Sequence, residues 1–111
     1  MVDAKGEIYN LLTEIDDVTV LQGRPEVIAS FPTITFSIED NTPRYELDKE
    51  IGFQDIAVIV DFWADNPIQT ASLLETAEGL FRNAGYRLTF SADVPDPEGK
   101  ARITTRFNLI K

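Results

Sequence analysis

The side chains here that are suited to acid–base chemistry are almost all carboxylates. Among 111 residues there are 19 Asp and Glu but no His and no Cys. Without His, the chain lacks the commonest general base and the commonest transition-metal ligand. Without Cys, it has no disulfides, thiolate catalysis or Cys-based zinc and iron–sulfur sites. A serine nucleophile would have no histidine partner, so a pair of carboxylates is the one enzymatic option left.

Asp55 and Asp61 form the best candidate pair, because alternation places both on one face of a predicted long strand. Two carboxyl groups at the correct separation can drive hydrolysis. The other interpretation is that this strand surface faces solvent or a partner subunit. We favour that second interpretation and predict no catalytic residues.

A second acidic group lies in the segment 93–98, which holds Asp93, Asp96 and Glu98. Hard cations such as Ca²⁺ prefer oxygen ligands of this kind. The spacing matches no known calcium loop, however, and Pro95 and Pro97 stiffen the backbone. We therefore predict no metal site and no cofactor.

A third group, Glu46, Asp48 and Glu50, lies in the most polar stretch of the chain, residues 39–50. The density of charge and Pro43 predict an exposed loop or a protruding hairpin. If the segment extends a strand, alternation places the three acids on one face. It is then either a solvated loop or an acidic finger that reaches a partner subunit or lines a pore.

The charge balance limits the possible partners. Ten basic residues against 19 acidic ones give a net charge of −9. Nucleic-acid binding relies on Lys and Arg at phosphates, and the basic residues near the end of the chain look scattered. No apolar run approaches the about 20 residues that span a bilayer. We expect a soluble protein, made in a cytoplasm, that binds no membrane.

Periodicity predicts two helices and five strands. Apolar spacing of 3, 4 and 7 residues indicates a helix over 3–16, and Asn66-Pro67 is a strong start for a second helix that ends at Gly85. Alternation predicts strands over 33–38 and 53–63 and a hairpin over 86–110, with a short strand at 18–21.

Short links between strands favour an α+β fold, a mainly antiparallel sheet of four to five strands with two helices packed on one face. The length fits a single domain, residues 1–111. The strand 53–63 is apolar on both faces from Ile56 to Val60 and ends in Phe62 and Trp63. We expect it to be central in the sheet, with a neighbouring subunit as a second possible cover.

This order of elements resembles the tail terminator and tail completion proteins of phages, a family that includes head-to-tail joining proteins. The resemblance covers nearly the whole chain. It lies in the helix ending near Ile15, Phe31-Pro-Thr-Ile-Thr-Phe36, the polar segment Arg44-Tyr-Glu-Leu-Asp48, Gln54-Asp-Ile-Ala-Val-Ile-Val-Asp-Phe-Trp63, the helix 68–84 and Arg106-Phe-Asn-Leu-Ile110.

The resemblance implies a homo-oligomeric ring, usually a hexamer, that caps the tail tube, stops its polymerisation and joins it to the head connector. It implies a place in the virion tail, with assembly in the host cytoplasm, and no catalysis. Phage DNA would pass through the ring without specific binding. We predict an oligomer or partner interface that includes seven residues: Arg44, Tyr45, Glu46, Asp48, Glu50, Asp61 and Trp63.

Three other functions fit the same residues. One is another neck or head-completion protein, which shares the size and the lack of catalysis. Another is a small acidic enzyme or ligand-binding domain that uses a carboxylate pair. The last is an acidic binding module that meets a basic partner protein or mimics DNA.

Overall fold

A computed structural model describes residues 4–23, 31–45, 52–94 and 100–110 of the chain. It has the α+β architecture that the sequence predicts, a five-stranded sheet with two helices. In chain order the elements are α1 (Ala4–Leu12), β1 (Thr19–Gln22), β2 (Thr33–Tyr45), β3 (Gly52–Ala64), α2 (Pro67–Asn83), β4 (Arg87–Asp93) and β5 (Ala101–Ile110).

The strands lie in the order β1-β2-β3-β5-β4. All neighbouring pairs are antiparallel except β1 and β2, which run parallel. The mainly antiparallel sheet is thus confirmed. So is the central position of the long strand, because β3 pairs with β2 on one side and with β5 on the other.

The hydrophobic core lies between the sheet and both helices. Ile8 and Leu12 of α1 and Ala77 and Phe81 of α2 are fully buried there. The ring of Phe81 stacks on that of Phe107 at a centroid distance of 4.3 Å. From the sheet, alternate residues of β2, β3 and β5 complete the core: Ile34, Phe36, Ile56, Val58, Val60, Phe62, Phe107 and Leu109.

Helix α2 has a defined cap at each end. The side chain of Asn66 accepts a hydrogen bond from the backbone N–H of Gln69 at 2.9 Å, so Asn66 is the predicted N-cap. At the other end, Gly85 adopts a φ of +95°. The N–H of Tyr86 donates to the carbonyl of Phe81 at 2.8 Å, and their rings meet edge to face. This is a Schellman stop with its hydrophobic contact.

The hairpin of β2 and β3 is longer than the alternation indicates. β2 continues past Ile38 to Tyr45, through a register shift between Ile38 and Asp40, and pairs with β3 down to Gly52. Of the two possibilities for residues 39–50, a loop or a hairpin, the described part is a hairpin. Residues 46–50 lie outside the described residues.

Other boundaries also differ from the predictions. Helix α1 ends at Leu12 rather than at residue 16, because the next turns tighten, with Glu14 bonded to Leu11 and Ile15 to Leu12. On α2, Thr70 is buried and Ala71 is exposed, so the side of the helix that faces the core begins at Thr70. In the hairpin over 86–110, β4 ends at Asp93, and residues 95–99 lie outside the described residues. Within the described residues, no helix is long and apolar enough to cross a membrane.

Candidate functional site

The sheet has one face that neither described helix covers, and this open face is the candidate functional site. Its residues follow from the strand register, because paired residues on neighbouring strands point to the same side. Among the residues whose side chains are described, the open face includes Thr19, Leu21, Thr33, Thr35, Ser37, Ala57, Ile59, Asp61, Trp63, Arg87, Phe90, Ala92, Arg102, Thr104, Arg106 and Asn108. The same register places positions Asp40 and Asp55 on this side of the sheet.

A cluster of three side chains lies at the centre of the open face. Arg102 donates a hydrogen bond from Nη2 to Oδ2 of Asp61 at 2.7 Å. The guanidinium carbon of Arg102 lies 4.3 Å from the ring centroid of Trp63, a cation–π distance. Nε1 of Trp63 donates to Oγ1 of Thr35 at 3.2 Å. Three strands thus share one chain of contacts, which fixes the orientation of the Trp63 ring.

The ion pair between Asp61 and Arg102 is largely buried, unlike an ion pair at the protein surface. Asp61 is 1% exposed, although it lies on the side of the sheet away from the helices. Its second oxygen, Oδ1, and Nε of Arg102 are buried without a hydrogen-bond partner among the described residues. The charge of such a buried carboxylate is stabilised mainly by its one charged partner, Arg102. The cluster is therefore a rigid, partly apolar platform rather than a solvated surface.

A shallow depression of about 660 Å³ lies beside this cluster, towards the edge strand β4. It is lined by Ile59, Thr89, Phe90, Thr104, Thr105, Arg106 and Asn108. Phe90 is 55% exposed and follows a register shift between Leu88 and Phe90. A β-bulge re-aims the residues beside it, and here it leaves an aromatic side chain on the open face.

The carboxylate pair considered for catalysis does not form a site. Six positions of β3 separate Asp55 from Asp61, which is about 20 Å along a strand. Hydrolytic pairs lie about 5–10 Å apart. The carboxylate of Asp61 is also held by Arg102. In the part of the chain that the structure describes, no three acidic side chains gather into a possible metal site.

The predicted interface residues fall into two separate places. Asp61 and Trp63 lie in the central cluster of the open face. Arg44 and Tyr45 lie at the far end of β2, opposite Phe53 and Gly52, about 27 Å away by strand length. Glu46, Asp48 and Glu50 lie outside the described residues. The described residues of the predicted interface thus lie in two places, on the open face and in the β2–β3 hairpin.

Basic residues that look scattered in the sequence come together on the open face. Arg102 and Arg106 point from β5, and Arg87 lies on β4 opposite Asn108. Sequence reasoning missed this group, and it missed the partnership of Arg102 with Asp61 across 41 positions. The outward alternation of Arg102 and Arg106 is visible in the sequence, but the register that brings them beside Asp61 is not.

The side of the molecule that carries the helices is acidic by contrast. Glu7 and Glu14 belong to α1 and the turn after it, and Glu75 and Glu78 to α2. Burial, together with the nearby Glu7 carboxylate, raises the pKa of Tyr86 above its ordinary value. Tyr86 packs on Phe81 beneath the helices, so this shift reports on the core and not on the open face.

The described structure defines an α+β class, an antiparallel-rich sheet covered by helices on one side. No protein-family model matches the sequence, and no curated protein matches it. A chain from a solved structure of the virion of a native gene transfer agent particle has a similar fold. The TM-score is 0.50 at 15% sequence identity, and the match covers 91% of this chain and 88% of that chain. At this identity the likeness is one of fold.

Proposed function

We propose that this chain is a non-enzymatic structural protein of a phage-like virion, and within that class a tail terminator. The observation that carries the proposal is the fold shared with a chain of a gene transfer agent virion over 91% of the present chain. The resemblance in the order of elements supports the finer assignment.

The two surfaces of the chain suit assembly into a ring. A heterologous contact joins one patch of a subunit to a different patch of the next, and it produces a ring when the rotation closes. The open face and the end of the β2–β3 hairpin are two such patches, separated along β3. Trp63, Phe90 and the arginines of the open face belong to the residue types that dominate protein interfaces.

In this function the ring caps the tail tube, stops its polymerisation and presents a surface to the head connector. Its partners are other copies of the chain, the tail tube protein and the connector or a head-completion protein. Its place is the virion tail, with assembly in the host cytoplasm. The net charge of −9 suits a ring through which DNA passes, because like charge prevents the genome from adhering.

The experiment is to mix the purified protein with tail tubes that lack an end cap and to image them by electron microscopy. We expect rings at one end of each tube and tubes of uniform length. Tubes that stay bare and grow past their normal length would refute the terminator assignment. Binding to isolated head connectors under the same conditions would then favour the neck or head-completion alternative.

A matched pair of variants tests whether the open face is used. Phe90→Glu places a charge on the open face, and Ile68→Glu makes the same change at the start of α2, where the side chain is 83% exposed. We expect Phe90→Glu to abolish capping and Ile68→Glu to leave it unchanged. Equal loss in both variants would contradict a specific role for the open face.

A further inference from the structure

We propose that the two edge strands of the sheet pair with one another between copies of the chain, β4 of one copy with β1 of the next. The sheet then continues from subunit to subunit. This proposal deepens the ring assignment and rests on it for the biological setting, while the pairing itself is a statement about two copies and has its own test.

Both edges of the sheet are open within the described residues. β1 and β4 end the strand order, and each pairs with one neighbour, β2 and β5 respectively. An edge strand presents unpaired backbone N–H and C=O groups, which natural proteins commonly protect with charged side chains. Here the segments 18–23 and 88–92 carry no charge, although charged residues make up 26% of the chain. The sequence thus leaves both edges available for pairing.

The directions of the strands favour this contact. β1, β2 and β5 run one way and β3 and β4 the other, because only β1 and β2 form a parallel pair. A second copy in the same orientation, with its helices on the same side of the sheet, therefore places its β1 antiparallel to β4. Antiparallel pairing is the more stable arrangement per residue. Since the contact joins two different edges, it is heterologous and can close a ring.

The backbone of β1 shows which of its residues can pair outward. The N–H of Thr19 donates to the carbonyl of Pro32 at 3.2 Å, and that of Gly23 donates to the carbonyl of Phe36 at 2.7 Å. Successive residues of a strand direct their N–H and C=O groups to alternate sides. Val20 follows Thr19, so it directs both of its backbone groups away from β2, towards the open edge.

The backbone of β4 gives the complementary position. The N–H of Val94 donates to the carbonyl of Arg102 in β5 at 3.0 Å. The register from Ser91 to Asp93 is regular, so Ser91, three positions before Val94, directs its backbone groups away from β5. Val20 of one copy opposite Ser91 of the next would form a hydrogen-bonded pair, in which each N–H donates to the other residue's C=O.

The same register matches exposed apolar side chains. When Val20 lies opposite Ser91, Leu21 of one copy lies opposite Phe90 of the next. Leu21 is 38% exposed and Phe90 is 55% exposed, and both point to the open face. They form a non-hydrogen-bonded pair, in which side chains approach more closely. A cross-strand apolar pair of this kind stabilises the contact and selects its register.

Pairing of β4 with a second β4 fits less well. The bulge between Leu88 and Phe90 displaces the alternation, so Leu88 points to the core side, opposite Phe107, and Ala92 to the open face, opposite Thr104. A two-fold contact centred on Phe90 would set Leu88 against Ala92, with side chains on opposite faces of the sheet. β1 pairs regularly along its whole length and is the better partner.

Site-specific disulfide formation tests the register, because the chain contains no cysteine of its own. One population carries Thr19→Cys, and a second, with a larger affinity tag, carries Ala92→Cys. In the proposed register these positions form a non-hydrogen-bonded pair, whose Cα atoms lie about 4.5 Å apart, within the span of a disulfide. The control replaces Ala92→Cys with Arg87→Cys, on the same strand and face but five positions, or about 17 Å, away.

The mixed populations are oxidised at the highest soluble concentration. We expect the mixed disulfide of Thr19→Cys with Ala92→Cys to exceed that with Arg87→Cys by about tenfold, the ratio for about 1.4 kcal/mol of preference. Equal yields from both mixtures, or no mixed disulfide in either, would overturn the proposal. It would also fail if Ala92→Cys linked chiefly to itself, because the edges would then pair two-fold.

A backbone substitution provides the second test. Ser91→Pro removes the N–H that points away from β5, and proline is tolerated at an edge strand in such a position. Ser91→Ala is the matched control, because it removes the hydroxyl and keeps the N–H. We expect Ser91→Pro to weaken self-association about tenfold relative to Ser91→Ala in sedimentation experiments.

Both variants should show the same secondary structure by circular dichroism, since the outward N–H of Ser91 takes no part in the pairing with β5. Equal self-association of the two folded variants would contradict the pairing. The disulfide yields decide alone if the proline variant does not fold.

These results can be separated from the test of the proposed function. If the unsubstituted protein fails to cap tail tubes but the mixed disulfide forms, the terminator assignment is lost and the pairing between copies stands. If tubes are capped but the disulfide yields are equal, the function stands and the pairing of the edges is wrong.

Discussion

The two faces of β3 show how one strand serves two purposes. Ile56, Val58, Val60 and Phe62 are fully buried beneath the helices. The residues between them, Ala57, Ile59, Asp61 and Trp63, point to the open face. Asp61 and Trp63 are held there by an ion pair, a cation–π contact and a hydrogen bond. The first face is organised by apolar packing and the second by polar contacts with an aromatic ring.

The difference indicates which face stabilises the fold. Each large apolar side chain buried in the core contributes about 1.5–3 kcal/mol, whereas a typical hydrogen bond contributes about 1 kcal/mol net. The helical face therefore supplies most of the stability. The open face contributes less, through polar contacts such as the ion pair of Asp61 with Arg102.

The largest expected effect on the free energy of unfolding comes from comparing a Phe→Ala substitution on the helical face with one on the open face. Phe81→Ala removes a fully buried ring that stacks on Phe107, and we expect a loss of about 4 kcal/mol in the free energy of unfolding. Phe90→Ala removes a ring that is 55% exposed, and should change it by less than about 1 kcal/mol. Urea unfolding measures both. Similar losses would contradict the division between the faces.

The next effect concerns the ion pair of the open face. Arg102→Met leaves the buried Asp61 carboxylate without the hydrogen bond it receives at 2.7 Å, and we expect a loss of about 3 kcal/mol in unfolding free energy at pH 7. The double variant Arg102→Met with Asp61→Leu should recover most of that loss. If the double variant is no more stable than Arg102→Met, the penalty comes from lost packing on Trp63 instead.

A smaller effect is expected where α2 ends. Gly85 has a φ of +95°, and a Cβ there would lie 3.2 Å from Cδ1 of Leu109. Gly85→Ala should therefore lower the free energy of unfolding by about 1–2 kcal/mol. Gly79→Ala is the matched control, because a Cβ at that helical position meets nothing within 4 Å. Thermal unfolding of the two variants should shift in opposite directions, since alanine favours a helix interior.

The smallest effect is confined to high pH. The pKa of Tyr86 is raised by burial and by Glu7, so the folded protein keeps this hydroxyl neutral above the ordinary tyrosine pKa of about 10. Above that pH the unfolded chain gains stability by ionising, and the free energy of unfolding falls. Between pH 10 and 11 the unsubstituted protein should lose up to about 1 kcal/mol more than Tyr86→Phe. Parallel pH profiles would contradict it.

Local patterns predicted most of the fold. Asn66-Pro67 and Gly85 predicted both ends of α2 because caps depend on a few neighbouring residues. Alternation predicted the hairpin over 86–110, and Phe107 and Leu109 of β5 enter the core. The apolar run from Ile56 to Val60 predicted a central strand, and β3 lies between β2 and β5.

Features that depend on residues far apart in the chain could not be predicted from these local patterns. Pro43 and the charges around it suggest an interruption, yet β2 continues there as one side of a hairpin. The parallel pairing of β1 with β2 depends on the path of the chain between them. The sequence pointed to only part of this cluster: Asp61 and Trp63 were predicted as interface residues, but Arg102, which contacts both, comes from a strand about 40 positions later.

The interior position of β5 has a consequence for the time at which this fold can form. β5 is inserted between β3 and β4, although both precede it in the chain. A nascent chain that has not yet reached residue 101 therefore exposes two strand edges that the finished sheet conceals. Such distant pairings slow folding and expose unpaired edges to aggregation. The sheet is complete only after β5 closes the gap.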